Sequence, residues 1–194
     1  MKSVSNRNQL RIIGGDWRGR RLAFPPVTGL RPTPDRVRET LFNWLAPVIC
    51  GARCLDLFAG SGALGLEAAS RGAAEVVLVD SDRRVAAVLR DHVNRLQATG
   101  VHVVLSDALA FLDGPGQPFD VVFLDPPFGQ GLLAPCVARL AAGGWLAANS
   151  HLYLEAERAL AEPPLPAGWE IVRSKAAGQV GYHLARPHVP ELTD

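Results

Sequence analysis

Asp56-Leu57-Phe58-Ala59-Gly60-Ser61-Gly62-Ala63-Leu64-Gly65 decides the fold of this chain. Cys54–Phe58 reads as a strand, Ala63–Arg71 as a helix, and the glycines between them form G-x-G-x-x-G. Glycines there let main chain approach a ligand at a helix N-terminus, and many nucleotide-binding folds use such a loop. Outward from it the pattern repeats. Strands are predicted at Glu75–Val79, His102–Leu105, Phe119–Leu124 and Trp145–Ala148, and helices at Arg83–Gln97, Ala108–Leu112 and Leu132–Ala141. Strand and helix in alternation predict an α/β, doubly wound, mostly parallel sheet with helices on both faces. The tail differs: Trp169–Lys175 and Gln179–Leu184 read as two strands joined at Ala176–Gly178, a hairpin closing the sheet.

Acidic residues at the strand ends suggest what the loop holds. Asp80 lies 20 residues after Gly60, at the end of the second strand, where a carboxylate takes a ribose diol. Asp56 stands four residues before the first glycine. A pyrophosphate would be repelled there, whereas the ammonium of S-adenosylmethionine would be attracted, directly or through water. A satisfied polar group at a strand end is the alternative. Asp107 is expected to accept from an adenine amino group, with the Ala108 N–H nearby, to cap a helix, or both.

Asp125-Pro126-Pro127-Phe128 follows the apolar run Phe119–Leu124. Proline lacks an N–H and fixes φ, so the pair forms a stiff corner whose carbonyls only accept. An exocyclic amino group offers two N–H donors. The Asp125 carboxylate and the Pro126 carbonyl match them, and Phe128 offers a face on which a base can stack. A surface turn after a strand is the plainer reading.

The charge is lopsided. The chain has 194 residues and a net charge of +1. Residues 1–40 carry nine cations (Lys2 and eight arginines) against three carboxylates, hence +6, and the remainder is −5. Arginine forks suit phosphate and base recognition. Arg11, Arg18, Arg20, Arg21, Arg31, Arg36 and Arg38 are therefore expected to grip RNA, a solvated basic surface with ordinary ion pairs being the plainer reading, and Arg38 with Glu39 can instead brace the first helix. Leu10–Phe24 reads as two short strands around a turn made flexible by Gly14, Gly15 and Gly19, with Trp17 stacking on a base or packing inward. Pro25, Pro26, Gly29, Pro32 and Pro34 mark a linker, after which Thr33 is the predicted N-cap of a helix whose apolar face is Val37, Leu41, Trp44 and Leu45. We expect a basic extension over residues 1–34 and a catalytic domain over 35–194. Deleting residues 1–24 is expected to abolish action on RNA and spare cofactor binding.

Apolar residues make up 48%, enough for a sizeable core, and no run reaches the roughly 18–20 residues of a membrane span. The start has no apolar signal segment. Cys50, Cys54 and Cys136 read as reduced thiols of a cytoplasmic protein, and no histidine pair has metal-ligand spacing.

Four stretches together resemble the RsmD family of class I S-adenosylmethionine-dependent methyltransferases: Arg11-Ile-Ile-Gly-Gly-Asp-Trp-Arg-Gly-Arg20, Leu30-Arg-Pro-Thr-Pro-Asp-Arg-Val-Arg-Glu-Thr-Leu-Phe-Asn-Trp44, Asp56–Glu67 and Asp125–Phe128. The first two are the specific ones, and the resemblance spans roughly residues 10–186. It implies a seven-stranded Rossmann-like sheet with a small N-terminal β-hairpin. The implied activity is 16S rRNA (guanine(966)-N2)-methyltransferase, acting on the small ribosomal subunit or its assembly intermediate and leaving S-adenosylhomocysteine. Asp56, Phe58, Gly60, Gly62, Asp80, Asp107 and Ala108 are then the expected cofactor contacts, and Asp125, Pro126 and Phe128 the catalytic ones. A monomer fits the size. An adenine-N6 or cytosine-N4 DNA methyltransferase, a glutamine-directed protein methyltransferase, a dinucleotide oxidoreductase and a non-catalytic RNA-binding factor are the competing readings.

Overall fold

A computed structural model describes residues 9–24, 33–158, 160 and 162–189. The linker residues Pro25, Pro26, Gly29, Arg31 and Pro32 lie outside them. In chain order the elements are β1 (Gln9–Arg11), β2 (Arg21–Ala23), α1 (Asp35–Leu45), β3 (Arg53–Asp56), α2 (Gly65–Ser70), β4 (Glu75–Asp80) and α3 (Arg83–Leu96). There follow β5 (Val101–Leu105), α4 (Ala108–Leu112), β6 (Phe119–Leu124), α5 (Leu133–Ala142), β7 (Leu146–Glu157), β8 (Trp169–Ala177) and β9 (Val180–Pro187).

Seven strands form one sheet in the order β5-β4-β3-β6-β7-β9-β8. The first five are parallel, and β9 runs antiparallel to both β7 and β8. Continuous apolar runs such as Val76–Val79 and Val121–Leu124 suit strands covered on both faces. Their alternation divides the core in two. Cys54, Val76, Leu78, Val121, Phe123 and Tyr153 pack with α1, α2 and α3, whereas Leu55, Val77, Val79, Val122 and Leu124 pack with α4 and α5. Chain order reverses between β3 and β6, so their carboxyl ends flank a switch point, where ligands bind in open α/β sheets.

Three expectations need correction. First, β7 runs for 12 residues, far past Ala148. Its polar opening, Ala148-Asn149-Ser150, hides a strand whose pairing with β6 is interrupted between Phe119 and Val121 and resumes at His151. Secondly, Thr33 does not cap α1. Pro34 holds that position without a side-chain bond, and the Thr33 hydroxyl turns inward to the Glu155 carboxylate at 3.5 Å.

Thirdly, the hairpin is neither a loose appendage nor a body apart from residues 35–194. Leu10, Ile12, Leu22 and Phe24 are buried in the same core as α1–α3. Its turn is laced to α2: Ile13 N–H donates to Glu67 Oε2 at 2.9 Å, Asp16 N–H to the Ser70 carbonyl at 2.8 Å, and Ser70 Oγ to the Gly14 carbonyl at 2.6 Å. On α3, His92 Nε2 meets the Ala23 carbonyl at 2.8 Å. Gly15 has φ +71°, and a Cβ there would lie 1.7 Å from the Ser70 carbonyl oxygen. That glycine serves close approach, not flexibility. Removing residues 1–24 would open the core, so the deletion cannot isolate an RNA-binding role.

Candidate active site

The turn after β3 takes its shape from two glycines in left-handed conformation, Gly60 at φ +52° and Gly62 at φ +78°. Asp80, at the end of β4, holds this turn: Oδ2 accepts the Gly60 N–H at 2.9 Å and Oδ1 the Asp82 N–H at 2.8 Å. Each oxygen keeps a lone pair for a further donor, as a ribose diol requires. Burial raises the Asp80 pKa, and the two N–H groups partly offset it.

Asp56 is 1% exposed, and its Oδ2 accepts the Gly65 N–H at the start of α2 at 3.0 Å. Burial is the main cause of its pKa being pushed up to about 7, with the Gly65 and Phe58 N–H groups pulling it back down. It therefore matches the satisfied polar group of the alternative reading, with its field directed at the glycine turn. Phe58 lies half-buried against the α4–α5 core. Asp107 caps α4, accepting from Leu109 N and Ala110 N at 2.9 and 3.1 Å through Oδ1 alone. Its Oδ2 stays free on an exposed side chain, so the cap and a ligand contact are compatible. Ala108 is buried beside it.

At the end of β6, Asp125 is half-buried, Pro126 buried, and Pro127 and Phe128 exposed, Phe128 by 46%. A phenyl ring so open beside a partly buried carboxylate has the form of a stacking surface over a polar floor. The floor holds more than the sequence suggested. Leu124 pairs with Leu154 on β7, which places Asp125, just past the end of β6, beside Glu155 near the end of β7. Glu155 is buried and accepts the Tyr153 hydroxyl at 2.8 Å and the Thr33 hydroxyl at 3.5 Å. Burial first, then the Glu155 and Asp56 charges, hold Asp125 well above the usual carboxylate range, and a Thr33 hydrogen bond pulls it down. Sequence reasoning missed Glu155, Tyr153 and Thr33. An acid inside the apolar run Leu152-Tyr153-Leu154-Glu155-Ala156 was the available signal.

Arg11, Arg18, Arg20, Arg21 and Arg36 are exposed, and Arg31 lies outside the described residues. Arg38 is not available to RNA. It is 1% exposed and braces α1 and the hairpin, donating to Asp35 Oδ1 at 2.6 Å and to the Arg11 carbonyl at 2.8 Å, with Glu67 at 3.6 Å. Glu67, wholly buried, also accepts from Arg71 Nε at 2.7 Å. Trp17 packs partly buried against the core. Cys54 and Cys136 are buried thiols and Cys50 is exposed. Among the described residues, no helix is long and apolar enough to cross a membrane and no three ligating side chains are grouped for a metal.

The mostly parallel sheet, its antiparallel β8–β9 hairpin and the glycine turn at the switch point place the fold in the Rossmann-like methyltransferase class, with which it superposes. Within that class, the family described as Conserved hypothetical protein 95 matches residues 10–186, and the chain belongs to it, the RsmD family of methyltransferases. It is 53% identical over 180 residues to "Ribosomal RNA small subunit methyltransferase D" of Escherichia coli K12, covering 93% of this chain and 91% of that one. The Haemophilus influenzae protein of the same name is 44% identical, covering 95% and 98%. The solved structure "Putative methyltransferase yhhF from Escherichia coli" superposes with a TM-score of 0.88 at 51% identity, covering 92% and 98%.

Proposed function

We propose that this protein is a 16S rRNA (guanine(966)-N2)-methyltransferase. It uses S-adenosylmethionine, leaves S-adenosylhomocysteine, and acts as a monomer on the small subunit or its assembly intermediate. The observation that carries this reading is Asp125–Phe128: a half-buried carboxylate and a rigid carbonyl beside an exposed ring, one strand from the glycine turn. The relatives named for small-subunit rRNA support the substrate class.

The residues at the turn suit the cofactor. Gly60 and Gly62 supply main chain without side chains, Asp80 and Asp107 keep free acceptor capacity, and Asp56, pushed up to about 7 by burial, is a carboxyl group that a cationic ligand would favour in its ionised form. Bound there, S-adenosylmethionine supplies an electrophilic methyl group on a sulfonium. Asp125 and the Pro126 carbonyl accept the two N–H bonds of the guanine amine, which turns its lone pair out of conjugation and toward the methyl group. A charged hydrogen bond contributes about 1.5–3 kcal/mol, roughly ten- to a hundredfold in rate. Holding the reactants in line contributes about 7–11 kcal/mol. Positioning dominates, and Asp125 refines it. Phe128 stacks on the guanine, while Arg11, Arg18, Arg20, Arg21, Arg31 and Arg36 hold phosphates as the base leaves its stack.

The test is transfer of labelled methyl from S-adenosylmethionine to small subunits that lack the modification, with naked 16S RNA and large subunits alongside. N2-methylguanosine at position 966 of small-subunit RNA is the expected product. Label in no RNA, with cofactor still bound, overturns the reading.

A further inference from the structure

The proposed chemistry leaves a proton to be removed, and the carboxylate beside Asp125 has no part in it so far. The geometry points to Glu155 as a positioning residue for that proton: an anion fixed beside Asp125 by the Tyr153 and Thr33 hydroxyls, which makes Asp125 the proton-holding member of a carboxylate pair. The inference rests on the amine-methylation reading above and deepens it.

β6 and β7 are parallel, with Phe123 opposite Tyr153 and Leu124 opposite Leu154. The next residues, Asp125 and Glu155, therefore emerge side by side on the face that carries Phe123 and Tyr153. Glu155 is 7% exposed, and the Tyr153 hydroxyl at 2.8 Å is buried with it. Both hydroxyls can donate to a carboxylate, and such bonds favour its ionised form. The Tyr153 phenol is held well above its ordinary pKa by burial and by Glu155, so it remains a donor.

The groups facing the pair come from every neighbouring element. Glu155 and Tyr153 lie on β7, Asp56 on β3, Thr33 before α1, and Tyr182 on β9 opposite Glu155. None is a cation. Two carboxylates in this setting cannot both ionise freely. Burial raises both groups and the single Thr33 proton serves either, but the Tyr153 hydroxyl donates to Glu155 alone, at 2.8 Å, and Asp125 feels the Glu155 charge in addition. The negative charge thus rests on Glu155 and the proton affinity on Asp125.

The guanine N2 lone pair forms the N–CH3 bond, and the S–CH3 bond breaks with its electron pair left on sulfur. The cationic nitrogen then gives one N–H proton to an Asp125 carboxylate oxygen, and the N–H electron pair returns to nitrogen. Asp125 is half-buried, so it passes the proton on to solvent, while Glu155 stays ionised throughout. Asp125 must begin each turnover ionised, so the acid limb of the pH–rate profile reports its pKa in the presence of the Glu155 charge.

Glu155→Gln removes the charge and retains an oxygen for the Tyr153 hydroxyl. Single-turnover methylation of small subunits is expected to keep a sigmoid pH dependence whose acid limb lies at lower pH than in the parent protein. A uniform loss at all pH values, or an unmoved limb, overturns the inference, because a merely structural role lowers the curve without displacing it. Tyr153→Phe removes the donor that fixes the charge on Glu155 and is expected to displace the limb in the same direction, by less. A carbon-13 titration of the aspartate carboxyl groups in the free protein needs no substrate. The resonance lost in Asp125→Asn identifies Asp125, and it is expected to titrate at lower pH in Glu155→Gln. An identical titration in both proteins overturns the inference even if methylation proceeds. A displaced titration with no RNA methylation would sustain the carboxylate pair and overturn the proposed function alone.

Discussion

Asp56→Asn measures what a buried carboxylate costs this fold. Asp56 is 1% exposed, and its pKa rises from 3.8 to about 7, chiefly through burial. Because the folded value lies above the unfolded one, the folded protein holds the extra proton between about pH 4 and pH 7. The stability that follows is fully present below about pH 4, declines as pH rises, and is gone above about pH 7. At about 1.36 kcal/mol per unit, the decline amounts to roughly 4 kcal/mol. Asparagine has no such titration and still offers the Gly65 N–H an acceptor. Urea unfolding of both proteins without ligand, at several pH values from about 4 to 8, gives the difference directly, because titrations remote from Asp56 cancel and only its coupling to Asp80 and Asp125 is added. The variant is expected to gain on the parent by roughly 4 kcal/mol across that range. A nearby cation favours the ionised form, so saturating S-adenosylmethionine is expected to shrink the gap. A difference constant to within about 1 kcal/mol would refute the argument that desolvation of Asp56 outweighs its Gly65 and Phe58 N–H bonds.

Asp125→Asn is expected to slow methyl transfer at least about tenfold with cofactor affinity little changed; rates within about twofold of the parent would remove Asp125 from the chemistry. Phe128→Ala is expected to weaken small-subunit binding by about 1–3 kcal/mol while leaving the melting temperature unchanged, because the ring is 46% exposed; equal affinity for subunits would rule out stacking. Replacing Arg18, Arg20 and Arg21 together by alanine is expected to lower the slope of log K against log salt by about two to three, with S-adenosylmethionine binding intact; an unchanged slope would show that these side chains touch no phosphate. Glu67→Gln is expected to cost about 3 kcal/mol or more in urea unfolding, since it leaves Arg38 and Arg71 short of a buried partner; a loss under about 1 kcal/mol would show that the network bears little on stability.

The sheet was readable wherever one physical signal ruled a segment. Val76–Val79 and Val121–Leu124 are apolar without interruption because both faces are covered, and the glycine turn and Asp125–Phe128 announce themselves by composition. The reading failed where a residue's partner is remote in sequence. Arg38 looks like every other cation of the basic segment, yet a buried carboxylate 29 positions away on α2 lies 3.6 Å from its guanidinium. Thr33 has the local credentials of a helix cap, but its hydroxyl finds Glu155 across the molecule. Glu155 was missed because the alternation expected of a strand is spoiled by the irregular start of β7. In each case tertiary contact overrode a local preference, and two of these residues, Thr33 and Glu155, sit at the candidate site.

The lacing of the hairpin to α2 also governs how such a protein can change. Gly15 and Ser70 fit so closely that no side chain can enter between them, and Leu10, Ile12, Leu22 and Phe24 are part of the core shared with α1–α3. The arginine-bearing arm therefore cannot be exchanged as a cassette, as an appended recognition domain could be. New substrate preferences must arise by substituting the outward positions one at a time, Arg18, Arg20 and Arg21 among them, while the inward positions of the same short strands remain fixed. Alternation along β2, with Arg21 out, Leu22 in and Ala23 out, draws the boundary between what can drift and what cannot.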